Sequence, residues 1–110
     1  MTKPEMTQEQ LDEKLANRPA VSVTKEKMDA KIKDVSYARN GVHTICYITL
    51  ENGFIVHGSS ACAHPDNYDK DIGEKIAYDN AFRQIGPLEG YLLKEQLFRA
   101  EETKSQNRAA

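Results

Sequence analysis

Cysteine is scarce in this sequence. Only Cys46 and Cys62 occur among 110 residues. Two thiols do not make a disulfide scaffold, and their spacing is not that of a metal knuckle. Each sits in an apolar stretch, where cysteine behaves as a small hydrophobe. An excess of positive charge is also lacking. The formal net charge is -2, so nothing builds the field of a general nucleic-acid binder. The short basic cluster Lys25, Lys27, Lys31 and Lys33 is interrupted by Glu26 and Asp29 and reads as a solvated helix face. A nucleic-acid surface would need those lysines and Arg39 on one continuous face. No apolar run is long enough to span a bilayer. The N-terminal MTKPEMTQEQ lacks the apolar centre of a signal peptide, so a cytoplasmic location is expected.

What is present fits one small folded domain. The hydrophobic share is 39% and the charged share 29%, values of a globular protein. A domain this short leaves much surface exposed, and assembly into a homo-oligomer would help its core.

Thr7-Gln8-Glu9-Gln10 has capping-box spacing, and Leu11 and Leu15 follow at helical period. This predicts a helix over 8–16, stopped by Asn17-Arg18-Pro19. Thr24 is a second cap, and Met28, Ile32 and Val35 predict a helix over 25–34. Tyr37 to Gly41 reads as a turn or a strand end. From Val42 the alternating V-H-T-I-C-Y-I-T-L reads as a strand with β-formers of both parities, covered on both sides or meeting a partner.

Glu51-Asn52-Gly53 then leads into Phe54-Ile55-Val56-His57-Gly58, and Asn-Gly between such runs signals a hairpin. Counting outward from Asn52-Gly53 pairs Leu50 with Ile55, Ile48 with His57, and His43 near Cys62. Val21–Val23 or Val35–Ala38 could add a third strand. Asp66 or Asn67 could cap a helix carrying Tyr68, Ile72, Ile76, Ala77, Ala81 and Ile85. Gly73 lies inside that pattern, and its expected use is close approach of helix to sheet. Gly86-Pro87 should break this helix, and Leu88 to Phe98 predict a last one over 88–101. The fold class is therefore α+β. A central antiparallel β-hairpin or small sheet carries short N-terminal helices and two C-terminal helices. Residues 1–20 form an N-terminal segment with a short helix, 21–101 a single domain, and 102–110 a disordered polar tail.

The chemistry-bearing residues form no enzymatic motif. His43 and His57 flank the hairpin about five positions apart, too far for a shared metal ion. His64 with Asp66 or Asp69 supplies a weak ligand set and reads more simply as a turn before a helix. Cys62 has only His43 near it as a base. Ser59 and Ser60 lack the glycine pattern of a nucleophile elbow. Asp66, Asp69, Asp71 and Glu74 suit the positive end of a helix dipole. No enzymatic activity, metal or cofactor is expected. Ligand-binding candidates are Arg39, Tyr47, Tyr78, Asn80, Arg83 and Tyr91: tyrosines to stack, arginines to grip an anion, and Asn80 as a polar partner. The bland reading of the tyrosines is core.

Four strings carry a resemblance: T-L-E-N-G-F (Thr49–Phe54), G-S-S-A-C (Gly58–Cys62), N-Y-D-K-D-I-G-E-K-I-A (Asn67–Ala77) and P-L-E-G-Y-L-L-K-E-Q-L (Pro87–Leu97). Together they resemble a family of small, functionally uncharacterised tailed-bacteriophage proteins from enterobacterial phages, densely over Cys46–Leu97 and more loosely over Val23–Val35. In that family the residue before Pro-Leu-Glu-Gly is usually tryptophan; here it is Gly86. The resemblance implies a non-enzymatic phage accessory protein in the cytoplasm of an infected bacterium. Its expected partner is a host or phage macromolecule, with no membrane and no nucleic acid. One alternative is a sponge that captures a small anionic nucleotide signal of antiviral defence. A metal-dependent enzyme is the third.

Overall fold

Val42 to Gly58 organises the molecule, because its two β-rich runs meet across a tight turn and supply the sheet on which the helices pack. A computed structural model describes residues 3–18 and 20–109. Its elements are α1 (Gln8–Ala16), α2 (Lys25–Ala30), β1 (Ile32–Asn40), β2 (His43–Leu50), β3 (Ile55–Ala61), α3 (Lys70–Arg83) and α4 (Ile85–Ala109). The strands form one antiparallel sheet in the order β1-β2-β3, so the fold is α+β with helices around a small sheet.

The capping box at Thr7 is formed: its hydroxyl accepts from Gln10 N, and the Gln10 side chain accepts from Thr7 N. α1 closes at Asn17; Pro19, part of the predicted stop, lies outside the described residues. α2 starts at the Thr24 cap as expected, but it ends at Ala30 rather than at 34. The reason is competition with the sheet. Glu51 N donates to Lys31 O (2.8 Å), and Ile32 pairs with Leu50. A short helix with a narrow apolar face gives up Ile32 and Val35, whose β-branched side chains suit a pleated strand. Val35–Ala38 is thus the third strand, and Val21–Val23 is not part of the sheet.

The Asn52-Gly53 hairpin exists with a register one residue from the expected one. Thr49 faces Ile55, Ile48 faces Val56, Tyr47 faces His57 and His43 faces Ala61. Only Gly53 adopts positive φ in this turn (90°). A two-residue turn would need Asn52 there as well, so the loop instead holds three residues and closes through Leu50 N to Phe54 O (2.8 Å). The slip moves His57 off the core face and puts Val56 on it. The β1–β2 turn uses Gly41 (φ 60°), between the paired Asn40 and His43.

Thr44, Cys46, Ile48 and Leu50 of β2 and Val56 and Gly58 of β3 point inward. α3 covers this face with Ala77 and Ala81. Ile85 completes the core, and Met28, Ile32, Val35, Tyr78 and Phe82 pack around it. Asp69, not Asp66 or Asn67, caps α3, accepting from Ile72 N (3.1 Å). His64 Nδ1 accepts from Asp66 N (3.1 Å) and caps a short 3-10 turn over Pro65–Asn67. Gly73 does allow close approach: a Cβ there would lie 3.0 Å from Thr44 Oγ1.

The break between α3 and α4 falls at Gln84 rather than at Gly86-Pro87. Pro87 occupies the first turn of α4, where its missing N–H costs nothing. α4 then continues to Ala109, so residues 102–109 are helical rather than a disordered tail. Arg99 bridges Glu95 (2.9 Å) and Glu102 (3.3 Å), and Thr103 Oγ1 donates to Arg99 O (3.0 Å). These local pairs stabilise a helix that leaves the body. The radius of gyration, 18.9 Å, exceeds the roughly 13 Å of a compact domain this long.

Candidate functional site

Sheet alternation leaves a second face. On it Tyr47 lies between Ser36 and His57, Thr49 between Asp34 and Ile55, and Ile45 between Ala38 and Ser59. β2 therefore carries apolar residues on both sides, yet α3 covers only one. Tyr47 remains 37% exposed and Ile55 53%. Their rings and branches are held by neighbours across the strands: Tyr47 tilts against His57 with centroids 6.4 Å apart. At the open edge the face continues into a groove between β3 and the start of α4. Phe54, Ile55, His57, Gln84, Pro87 and Leu88 line about 370 Å³ there. Phe54 is 54% and Leu88 39% exposed. The three-residue turn positions Phe54 and Ile55, and the early start of α4 positions Pro87 and Leu88. This continuous apolar strip is the candidate site.

Of the residues proposed from sequence, only Tyr47 belongs to it. Arg39 lies at the far end of β1, its guanidinium 3.6 Å from the Tyr68 ring centroid and its Nε donating to Gly41 O (2.7 Å). Such a cation–π contact anchors the β1–β2 turn over the start of α3. Asn80 Nδ2 donates to Ser59 O (2.8 Å) and so blunts the free edge of β3. Arg83 Nη1 donates in turn to Asn80 Oδ1 (2.8 Å). Asn80 and Arg83 are thus brought together. Tyr78 stacks on Phe82 at 6.0 Å beside the core, as the bland reading of the tyrosines holds. Partial burial, then the nearby Asp29 carboxylate, raises its hydroxyl pKa. Tyr91 stands on α4 and is 74% exposed. The six candidates do not converge on one site.

The remaining reactive groups have structural partners. Burial pushes the Cys46 thiol above its ordinary value, partly offset by a hydrogen bond with Tyr37. Tyr37 is itself raised, first by partial burial and then by Cys46 and Glu74. Cys62 Sγ donates to His64 O (3.5 Å). His43 and His57 oppose Ala61 and Tyr47, four positions apart along β2. Among the described residues, no group of three or more His, Cys, Asp or Glu is placed to hold a metal ion. No described helix is long and apolar enough to cross a membrane. Phe54, Ile55 and Leu88 were missed in the candidate set. The signal available was two consecutive large apolar residues directly after a turn, which cannot both face one core.

Neither curated proteins nor solved structures give a match to the chain. Residues 23–97, from just before α2 into the middle of α4, match the phage protein (N4 Gp49/phage Sf6 gene 66) family over more than half of the sequence, and the protein belongs to that family.

Proposed function

We propose that this phage protein is a non-enzymatic accessory protein that binds a host or phage macromolecule in the cytoplasm of the infected bacterium. The observation that carries the reading is the apolar strip Tyr47–Ile55–Phe54–Leu88, uncovered on the outer sheet face and in the adjoining groove. Exposed apolar patches rimmed by polar groups are the usual mark of a protein contact. The strip runs from an open sheet face into the groove, with Phe54 and Ile55 more than half exposed. An open apolar surface suits a macromolecular partner better than a small ligand, most of whose surface must be enclosed. The dispersal of Arg39 and Arg83 supports the same choice over capture of a small anion. Both guanidiniums are already engaged, with Tyr68 and with Asn80.

The test is site-specific photo-crosslinking during phage infection. A benzophenone amino acid at position 47 should yield a discrete adduct, lost when Phe54→Ser and Ile55→Ser are combined. The same probe at Lys70, away from the strip, should give none. Equal adducts from both positions, or none from position 47, would remove the reading. A small molecule of defined mass released intact from the native protein would favour nucleotide capture instead.

A further inference from the structure

We infer that α1 is an exchange arm: it docks into the groove between α2 and α4 of a second copy of this chain, and the exchange is reciprocal. α1 lies outside the residues that match the family. It is a well-capped helix with no fully buried residue. Leu11 and Leu15 are 38% and 37% exposed, and Met6 ahead of them 44%. A nine-residue helix is marginal unless its apolar stripe is packed. The body of the chain holds a complementary groove of about 350 Å³. One wall is Val21, Val23, Lys27 and Ala30; the other is Glu89, Leu92, Leu93 and Gln96.

Charge fixes how the arm lies. On the helical wheel, Asp12 and Lys14 flank the Leu11–Leu15 stripe on opposite sides, each about 60° from the nearer leucine. The groove carries the matching pair, Lys27 on one wall and Glu89 on the other. Lys27 Nζ donates to Ser22 O (2.8 Å), and neither Lys27 nor Glu89 forms an ion pair among the described residues. The arm enters in the direction that sets Asp12 toward Lys27 and Lys14 toward Glu89. In its own chain α1 flanks residues 22–26 instead, where Asp12, Leu15 and Ala16 share a cleft with Thr24, Lys25 and Glu26. Only residues 17–20 separate α1 from the Val21 wall, so entry into its own groove would require the chain to double back over that wall. A second copy meets no such restriction, and two identical dockings close a two-fold dimer.

The experiment is native mass spectrometry of the full chain, repeated over a concentration range. The expected species is twice the chain mass of 12.4 kDa. Leu11→Asp with Leu15→Asp should return it to a monomer with an unchanged β-sheet signal in circular dichroism. Lys27→Glu should weaken the dimer at least tenfold, and adding Asp12→Lys should restore part of the loss. In a Cys46→Ala, Cys62→Ala background, mixing a Leu11→Cys chain with a Leu92→Cys chain should give a disulfide-linked pair. A wild-type monomer at all concentrations overturns the inference. So does a dimer indifferent to the arm substitutions, or a disulfide that forms only when both cysteines sit in one chain. These variants leave the outer sheet face intact, so this result is independent of the crosslinking above.

Discussion

Adding a single methyl group at Gly58 should be among the most damaging small changes to this protein. Gly58 lies on the inner face of β3, directly beneath α3. A Cβ there would meet Ala81 N, and would sit 2.6 Å from Asn80 C and 2.7 Å from Ala77 O. Ordinary carbon contacts need about 3.5–4.0 Å, so α3 must retreat by roughly 1 Å. The obstructing atoms are all backbone, so no side-chain rotation relieves them. Retreat also opens the contact that buries Ala77, Ala81 and Ile85, all fully buried. Overpacking typically costs about 1–3 kcal/mol, and a rigid backbone obstacle puts Gly58→Ala at the upper end, about 3 kcal/mol. For a small domain that is a large fraction of total stability.

The control is Gly73→Ala on the facing helix. Its Cβ would meet Thr44 Oγ1 at 3.0 Å, a side-chain atom, and the helix gains about 1 kcal/mol from replacing glycine. The two effects should nearly cancel. Equilibrium urea unfolding followed by circular dichroism, with m-values compared, reads both variants. A Gly58→Ala protein within about 0.5 kcal/mol of wild type, smaller than a typical overpacking cost, would refute the close packing of α3 on β3. So would a Gly73→Ala protein that is the weaker of the two.

Gly90 lies inside α4, and a Cβ added there would have nothing within 4 Å, so Gly90→Ala should stabilise by up to about 1 kcal/mol; a lower thermal midpoint would contradict this. Thr44 is 2% exposed, and among the described residues its Oγ1 has no hydrogen-bond partner. Thr44→Val should therefore raise the urea midpoint by the equivalent of about 1 kcal/mol, and a fall would show that the hydroxyl is satisfied. Burial raises Cys46, Tyr37 and Tyr78 above their ordinary values of 9.0 and 10.0. The unfolded chain then releases these protons first, so stability should decline as pH rises above about 9. Unfolding titrations at pH 7 and pH 10 check the sign, and an unchanged or higher midpoint at pH 10 would reverse it.

Local signals carried much of this fold. The caps at Thr7 and Thr24 and the glycine turn at Asn52-Gly53 act within a few residues, and each is visible in the chain. The family resemblance, dense over Cys46–Leu97 and looser over Val23–Val35, falls within the residues of the family match, 23–97. Where sequence expectation and structure differ, two conformations competed for the same residues. Ile32 and Val35 fit a helical stripe and a strand equally well, and pairing with Leu50 and Ile48 decided between them. The hairpin slipped by one because Gly53 alone took positive φ. That slip moved His57 beside Tyr47 and changed which residues share a face. The candidate ligand set dispersed for a similar reason. Residue type marked Arg39, Asn80 and Arg83 as able to bind an anion, but Tyr68, Ser59 O and each other were within reach.

The sequence by itself determined the fold class, the family, the caps of α1 and α2 and the existence of the central hairpin. These follow from periodicity, turn residues and motif order, which operate over short distances along the chain. Tertiary structure alone decided the hairpin register, the conversion of residues 32–40 to an edge strand, and the exposure of Phe54, Ile55 and Leu88. Each of those depends on which distant segment reaches a residue first. A side chain's partners are set by packing across the sheet, and no local pattern records them.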